Sequence, residues 1–415
     1  MRKLAILFVL GALLLSVNLP AQDLRGSSGN FYATISKSFD VQAGGSLTVK
    51  NVTGDFDVKG WTNNVVEITQ EIRIKSFTKG EAEEIFKRAH NAIEQSGSRI
   101  RIEGDYDGNR VHSTFTINVP EKFDVAIGTS GGDIELAGTE GEIDLSTSGG
   151  DIEIMDTAGR TRANTSGGDL TFSDVSGTIA GATSGGDIEL KDIYGDGTFT
   201  TSGGDIYLVN ATDRVKLNTS GGSIKVEQVS GDLNANTSGG DISVRQISGS
   251  CSVNTSGGDI DLHDIQGPTR ANTSGGDITG ENFMEKISVN TSGGDINLEN
   301  VQAAVSGRTS GGDIDVVVTL TDFSKPHDVD LKTSGGEIKL TIPEDMPATV
   351  SAEIRTSRRN YEMKRYDIYS DFPLTKIEPD DRGEVVIRSE GDINGGGDPI
   401  VLETSGGDIY IKKIK

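Results

Sequence analysis

One short unit repeats through the middle of this chain and restricts what the chain can fold into. Thr-Ser-Gly-Gly, followed by Asp or Ser and then by Ile or Leu, occurs eleven times between residues 129 and 314, and each copy begins 18 residues after the previous one. A unit this short cannot bury its apolar face alone, so successive units must stack on one another. The repeat therefore predicts a solenoid.

The apolar residues of each unit alternate as they do in β-strands. With Thr as position 1, the copy that begins at Thr237 has apolar residues at positions 6, 8, 11, 15 and 17. The left-handed hexapeptide helix needs an apolar residue every six positions, and this unit does not supply them. The spacing predicts an all-β, flattened, parallel β-solenoid with coils of 18 residues,.

Two glycine turns are expected in each coil. One is the Gly-Gly pair of the repeat, and the other is a frequent glycine at position 13, as in Gly159 and Gly249. Glycine takes positive φ at no steric cost, so we expect the glycine pair to permit that backbone conformation in the turn.

The N-terminus has the pattern of a secretory signal peptide. A basic start precedes an apolar run at residues 4–17, which is shorter than the ~20 residues of a membrane-spanning helix, and Ala21 offers a cleavage point,. We expect export to the periplasm, the outer cell surface or the medium, with no transmembrane segment in the mature chain. The predicted divisions are a signal peptide at 1–21, N-terminal strands and a capping helix at 22–128, the regular repeat array at 129–320, and irregular C-terminal coils and a cap at 321–415.

Charge and cysteine content exclude some functions. The formal net charge of −24 argues against a nucleic-acid partner, because phosphate contacts need Lys or Arg,. Cys251 is the sole cysteine, so the chain cannot form an internal disulfide.

The segment before the array predicts the start of the solenoid. Residues 51–58 resemble a degenerate coil, and residues 79–95 have apolar side chains at helical spacing,. A helix there would cover the open end of the solenoid and protect its unpaired edge, although a partner-binding helix fits the same pattern.

Stacking predicts columns of identical polar side chains. Asn precedes the repeat Thr in six copies, where stacked amides can bond along the axis, although the Asn-Thr-Ser triplets also match the glycosylation sequon. These residues are Asn164, Asn218, Asn236, Asn254, Asn272 and Asn290.

Position 5 carries a column of Asp side chains, and this column has two possible roles. Each carboxylate can accept hydrogen bonds from the amides of its own Gly-Gly turn, and Ser223 could replace it in that role. The alternative is a row of bound calcium ions, although the calcium-binding nonapeptide repeat has a second glycine-flanked turn that this unit lacks. The candidate ligands are Asp133, Asp151, Asp169, Asp187, Asp205, Asp241, Asp259, Asp277, Asp295 and Asp313.

A basic and aromatic island follows the array. It could hold a glycan or another anionic partner, or it could be a long loop or cap whose charges pair with the acidic flank. The candidate partner-binding residues are Arg355, Arg358, Arg359, Tyr361, Lys364 and Arg365.

The two ends carry a family resemblance. The signal sequence, the Gly-Asp strand repeat, residues 369–374 (YSDFPL) and the closing GDINGGGDPIVLETSGGDIYIKK of residues 391–413 resemble the bacterial putative-adhesin family of β-strand-repeat domains of unknown function. The resemblance implies a right-handed parallel β-helix at the cell envelope, and it brings no active site with it. Residues 357–360 (SRRN) depart from the pattern, where another Ser-Gly-Gly turn would be expected.

Together these observations favour a secreted, non-enzymatic β-solenoid that presents a repetitive acidic surface and acts as an adhesin or a structural protein of the cell envelope. Its expected partner is a surface glycan or another protein of the envelope. Calcium binding is the first alternative and a polysaccharide-acting β-helix enzyme the second. No coil gathers Asp, Lys, Arg and His as a β-helix lyase or hydrolase does, so the sequence indicates no catalytic residue.

Overall fold

The computed structural model describes residues 24–27, 29–89, 92–104, 110–380 and 384–414. The predicted signal peptide lies outside these residues. Within them the chain forms one continuous sheet of 36 strands and two helices. None of the helices in this described part is long and apolar enough to cross a bilayer.

The N-terminal segment contains nine strands and one helix: β1 (Arg25–Ser27), β2 (Asn30–Asp40), β3 (Gly45–Val52), β4 (Gly54–Trp61), β5 (Val65–Ile74), α1 (Lys79–Ala89), β6 (Ala92–Ser96), β7 (Arg99–Glu103), β8 (Val111–Pro120) and β9 (Phe123–Thr129). The array contributes β10 (Ile134–Ala137), β11 (Glu140–Ser146), β12 (Ile152–Asn164), β13 (Leu170–Ala182), β14 (Ile188–Tyr194), β15 (Gly197–Thr200), β16 (Ile206–Ala211), β17 (Val215–Asn218), β18 (Ile224–Val229), β19 (Leu233–Asn236), β20 (Ile242–Ile247), β21 (Cys251–Asn254), β22 (Ile260–Ile265), β23 (Thr269–Asn272), β24 (Ile278–Phe283), β25 (Ile287–Asn290), β26 (Ile296–Val301), β27 (Val305–Arg308) and β28 (Ile314–Val318). The C-terminal part contains β29 (Val329–Lys332), β30 (Ile338–Ile342), β31 (Ala348–Ser357), α2 (Arg358–Lys364), β32 (Ile368–Ser370), β33 (Thr375–Asp380), β34 (Glu384–Ile393), β35 (Asp398–Thr404) and β36 (Ile409–Lys413).

Strand pairing confirms the parallel solenoid. In the array each strand pairs in parallel with the equivalent strand one coil further on, so that Ile242 lies between Ile224 and Ile260, each 18 residues away. All three side chains are at most 1% exposed, and they belong to one apolar core that continues from Val41 to Ile411. The predicted fold and coil length are confirmed, while the right-handed sense stays a prediction.

Nine consecutive array coils share a corner that the sequence reasoning missed. Position 10 lies in the left-handed region with φ between 50° and 66°, and it interrupts the long strand after its first four residues. Asp and Asn tolerate this conformation better than most residues because their short side chains bond locally. The residues at this corner are Asp156, Asp174, Asp192, Asn210, Gln228, Gln246, Asp264, Asn282 and Asn300.

At both ends of the solenoid the chain forms the outermost coil and then returns to a position further inside. At the N-terminal end, β3 and β4 lie between the later strands β7 and β8 on one side and β9 and β10 on the other. At the other end, β35 and β36 lie between the earlier pairs β29 and β30, and β31 and β32. The outermost coil is therefore not the first or last in sequence at either end.

The prediction of one helix over residues 79–95 is wrong at its C-terminal half. α1 ends at Ala89, and Ile93 lies in β6, opposite Ile102 of β7 and inside the main core. The local sequence pattern favours a helix only weakly in this segment, and the burial of Ile93 in the sheet decides its conformation. α1 itself packs Ala82 and Ile85 into a second, smaller core with residues of β2 and β5, and so covers the antiparallel strands that extend this end.

The expectation of a single helix is also incomplete. α2 occupies the basic island, where the side chain of its N-cap, Ser357, accepts a hydrogen bond from the Asn360 N–H. Seven residues are too few to show a helical period, so Ser357 was the only available signal of this helix,.

Candidate functional site

The repeat Thr is an internal clasp between coils. The Oγ1 of Thr147 donates to the carbonyl of Gly132 in the preceding coil (2.9 Å) and accepts from the N–H of Gly150 in its own turn (3.4 Å). The same donation recurs in every later copy to Thr404, and these threonines are at most 8% exposed. Their hydroxyls are therefore committed to the fold and are not presented to a ligand.

The second glycine of each pair allows close stacking, and neither glycine of the pair has positive φ, which corrects the expectation for this turn. Gly167 and Gly168 both lie outside the left-handed region. A Cβ on Gly168 would approach the Gly150 carbonyl oxygen to 2.0 Å, whereas a Cβ on Gly167 would meet nothing nearer than 3.7 Å. The glycines at position 13 are needed for different reasons. Gly159 has a positive φ of 118°, whereas Gly249 does not, and a Cβ on Gly249 would collide with the carbonyl of Gly231.

The Asp column bonds between coils, and the prediction that each carboxylate caps its own turn is wrong. Asp133 Oδ1 accepts from the N–H of Asp151 at 2.9 Å, and this pattern continues up the array to Glu337. Ser223 takes the same place, accepting from the N–H of Asp241 at 3.2 Å. One oxygen of each carboxylate thus holds the next coil, and among the described residues no three His, Cys, Asp or Glu side chains are grouped to share a metal ion.

The predicted Asn column is confirmed over five consecutive coils. The Nδ2 of Asn254 donates to Asn236 Oδ1 at 2.9 Å, and Asn218, Asn272 and Asn290 continue the chain of amides. Asn164 does not join it, because Ser146 and Ala182 occupy the adjacent coils.

The Asn column turns into charged side chains at the C-terminal end. Arg308, Lys332 and Glu403 follow Asn290 in register, and they line an open groove of about 620 Å³ together with Arg355. We call this the corner groove. Its cations are neutralised within it, since Lys332 Nζ lies 3.3 Å from Glu403, Arg355 binds Glu353, and Arg308 binds Asp330.

Glu353 holds two of the neighbouring cations. Burial by itself would raise the pKa of Glu353, but hydrogen bonds from Arg388 and Arg355 outweigh it and leave the pKa below its ordinary value. The Arg388 Nε bond measures 2.7 Å and the Arg355 Nε bond 3.0 Å. Arg355 is therefore fixed to the cap and not free for a partner.

A second concavity lies beside α2. It measures about 350 Å³ and is lined by Tyr361, Arg365, Tyr366, Asp367, Lys376, Ile377 and Ile387. We call it the helix cleft. Both tyrosines are half-buried against the main core, while Ile377 is 43% exposed at its edge.

A family comparison covers nearly all of this architecture. The family model described as Toastrack DUF4097 matches residues 33–263 and 228–412. The chain belongs to this family. The resemblance to adhesin-like β-strand repeats of unknown function is thereby confirmed.

Three solved structures are similar to this Toastrack chain at low identity. A "putative lipid binding protein" from Parabacteroides distasonis is 14% identical, with 68% of this chain and 96% of that one covered and a TM-score of 0.24. A "putative cell adhesion protein" from Clostridium sporogenes is 11% identical (92% and 100% covered, TM-score 0.14), and a "putative adhesin" from Bacteroides fragilis is also 11% identical (92% and 97% covered, TM-score 0.17). No curated protein matches the chain. None of these names is that of an enzyme, and at this level of similarity none assigns a function.

The Toastrack structure separates the six predicted partner-binding residues. Tyr361 of α2 and Arg365, the residue that caps its C-terminus, both line the helix cleft, while Arg355 lies in the corner groove. Arg358 pairs with Glu362 at 3.2 Å. Arg359 is exposed on α2 and is not among the residues that line the cleft. Lys364 places its ammonium 5.9 Å from the ring centre of Tyr366.

Five cleft residues were missed by sequence reasoning, including Asp367, which directly follows the island. Tyr366 was visible beside the island, but Lys376, Ile377 and Ile387 lie on β33 and β34, which pair antiparallel behind α2. No local pattern connects those strands to the helix, so only the fold could bring them together.

Proposed function

We propose that this chain is an exported, non-enzymatic β-solenoid that acts as an acidic scaffold at the cell envelope and binds an anionic partner, a surface glycan or an envelope protein, through its C-terminal cap. The observation that carries the proposal is the contrast between the array and the cap. In the array the polar columns are committed to bonds between coils, whereas the cap presents cations that the rest of the described chain does not neutralise.

The array is suited to a scaffold because its repeated polar groups already have partners. Thr147, Asp133 and Asn236 are examples from the Thr, Asp and Asn columns, and each makes a hydrogen bond to the neighbouring coil. A ligand would have to break such bonds in several coils to use these atoms. The remaining acidic surface keeps the rod soluble and repels other anions.

The cap is suited to binding because its helix carries cations that have no carboxylate partner among the described residues. Arg359, Lys364 and Arg365 are all exposed, in contrast to Arg355 and Arg358, which are ion-paired. Three unpaired cations on one short helix form a local attractive site on a chain of formal charge −24,.

Binding to immobilised polygalacturonate tests this proposal. The mature chain from residue 22 is compared with the triple variant Arg359→Ser, Lys364→Ser, Arg365→Asn, which we expect to bind at least about tenfold more weakly. The matched control, Lys191→Ser, Lys216→Ser, Arg270→Ser, removes the same charge from exposed array positions and should bind like the natural chain. Equal loss in both variants, or no binding by the natural chain, would refute a site on the cap.

The two alternatives have separate readouts. For calcium, the melting temperature should be unchanged by chelator, because Oδ1 of each column Asp already binds the next coil. A chelator-dependent loss would favour a metal-binding array. For cleavage, new reducing ends in the polygalacturonate sample would favour an enzyme.

A further inference from the structure

We infer that the helix cleft binds the carboxylate-bearing ring of an acidic sugar, with Arg365 as the residue that anchors the carboxylate. This inference rests on the proposed function and names the ligand class of the cap. The corner groove is a poorer candidate, because each of its cations already has a carboxylate partner within it.

The size of the helix cleft suits one or two sugar rings. Its volume of about 350 Å³ is at the lower end of the range typical of small-molecule sites,. It is open on one side, between α2 and the strand pair β33 and β34, so a ring at the end of a longer glycan could enter while the rest of the chain stays in solvent.

The charges in the cleft favour one carboxylate. Lys376 is held by both oxygens of Asp367 at 2.9 Å, and Asp367 Oδ1 also accepts from the N–H of Ile368 at 2.8 Å. This pair is neutral and fixed. Arg365 has no carboxylate partner among the described residues, so its guanidinium remains as the planar fork that binds a carboxylate in bidentate fashion.

The other cleft walls suit a sugar better than a simple anion. Tyr361 and Tyr366 present apolar ring surfaces and phenolic hydroxyls, and Ile377 and Ile387 add an aliphatic wall. The C–H faces of a pyranose can pack on such surfaces while its hydroxyls bond to the phenols. Inorganic phosphate has no apolar face and gains nothing from these side chains.

The backbone of Arg365 provides an independent sign that its side chain is used. The residue ends α2 in the left-handed conformation (φ 50°, ψ 53°), and its N–H donates to the carbonyl of Tyr361 at 2.8 Å. Gly or Asn usually fills this position, because the Cβ of other residues is crowded in the left-handed conformation. An arginine here accepts that strain at the edge of a cleft, as residues at binding sites often do.

Calorimetric titration with trigalacturonate tests the inference. Arg365→Asn removes the guanidinium and suits the left-handed backbone, so we expect a folded variant with at least about tenfold weaker binding. The matched control, Arg270→Asn, removes the same charge from an exposed position of the array and should bind within about twofold of the natural chain. Neutral trigalactose and inorganic phosphate should give no heat of binding.

A second pair of variants keeps the inference testable if Arg365→Asn does not fold. Ile377→Glu places a carboxylate at the edge of the cleft, and Met363→Glu places one on the outer side of α2, where Met363 is 71% exposed. We expect only Ile377→Glu to abolish binding.

Three results would overturn the inference: Arg365→Asn binds like the natural chain, Arg270→Asn loses as much affinity as Arg365→Asn, or phosphate competes with trigalacturonate. If polygalacturonate still binds the natural chain and is lost from the triple variant of the cap, the proposed function survives without this cleft. If the natural chain binds no acidic polymer, both fail.

Discussion

The two glycines of each TSGG turn should respond very differently to the same substitution. Gly167→Ala adds a methyl group whose nearest neighbours would be 3.7–3.8 Å away, which is ordinary van der Waals contact. Gly168→Ala places its methyl group 2.0 Å from the carbonyl oxygen and 2.4 Å from the carbonyl carbon of Gly150. Both obstacles are backbone atoms, so no side-chain rotation can relieve them.

The cost of Gly168→Ala follows from the bonds that the coil would have to loosen. Moving the methyl group out of contact requires a shift of more than about 1 Å against a coil spacing of about 4.8 Å. The bond from the Asp169 N–H to Asp151 Oδ1, now 2.8 Å, lies at that point. Overpacking costs about 1–3 kcal/mol and a lost hydrogen bond about 1 kcal/mol, so we expect a loss of about 2–4 kcal/mol. Gly167→Ala should stay within about 1 kcal/mol.

Hydrogen exchange is the suitable assay, because a stacked array does not unfold as one two-state unit. Gly168→Ala should speed amide exchange in its own coil and the adjacent coils, with distant coils unchanged, and Gly167→Ala should leave the pattern intact. Equal effects of the two substitutions would refute the stacking argument and restore positive φ as the reason for both glycines.

Three further outcomes are expected. Thr201→Val removes a hydroxyl that donates to the Gly186 carbonyl at 2.8 Å, so it should cost about 1–3 kcal/mol as measured by amide exchange in its own and the adjacent coils, while Thr201→Ser should cost clearly less; equal losses would contradict the clasp,. Burial raises the pKa of the Cys251 thiol to about 12, so Ellman's reagent at pH 8 should label it only in denaturant, and rapid labelling of the folded chain would show that this coil opens,. Because the pKa of Glu353 is lowered from 4.5 in the folded chain, its stabilising contribution is complete above that value and is lost as the pH falls below it,. Glu353→Gln should therefore weaken the cap at neutral pH and flatten its acid dependence, as monitored by exchange in β31, and an unchanged acid profile would contradict this.

The candidate site was predictable only in part. The composition of the island singled out Tyr361 and Arg365, because cations and tyrosines are unusual on an acidic rod. Nothing in that composition distinguishes Arg365 from Arg355, which Glu353 neutralises across the cap. The distinction depends on partners far away in sequence, and it became visible only when the strands were placed.

The sequence by itself determined the solenoid, its coil length and its continuous core, because a short repeat has one consistent way to bury an apolar face that recurs in every copy. It also determined the amide column from Asn218 to Asn290, since identical side chains in register must meet. Only the tertiary structure decided that Asp133 binds the next coil and not its own turn, and that β35 inserts beneath β31. Bonds between coils and the closure of an end depend on contacts between distant residues, and a local pattern carries no information about these.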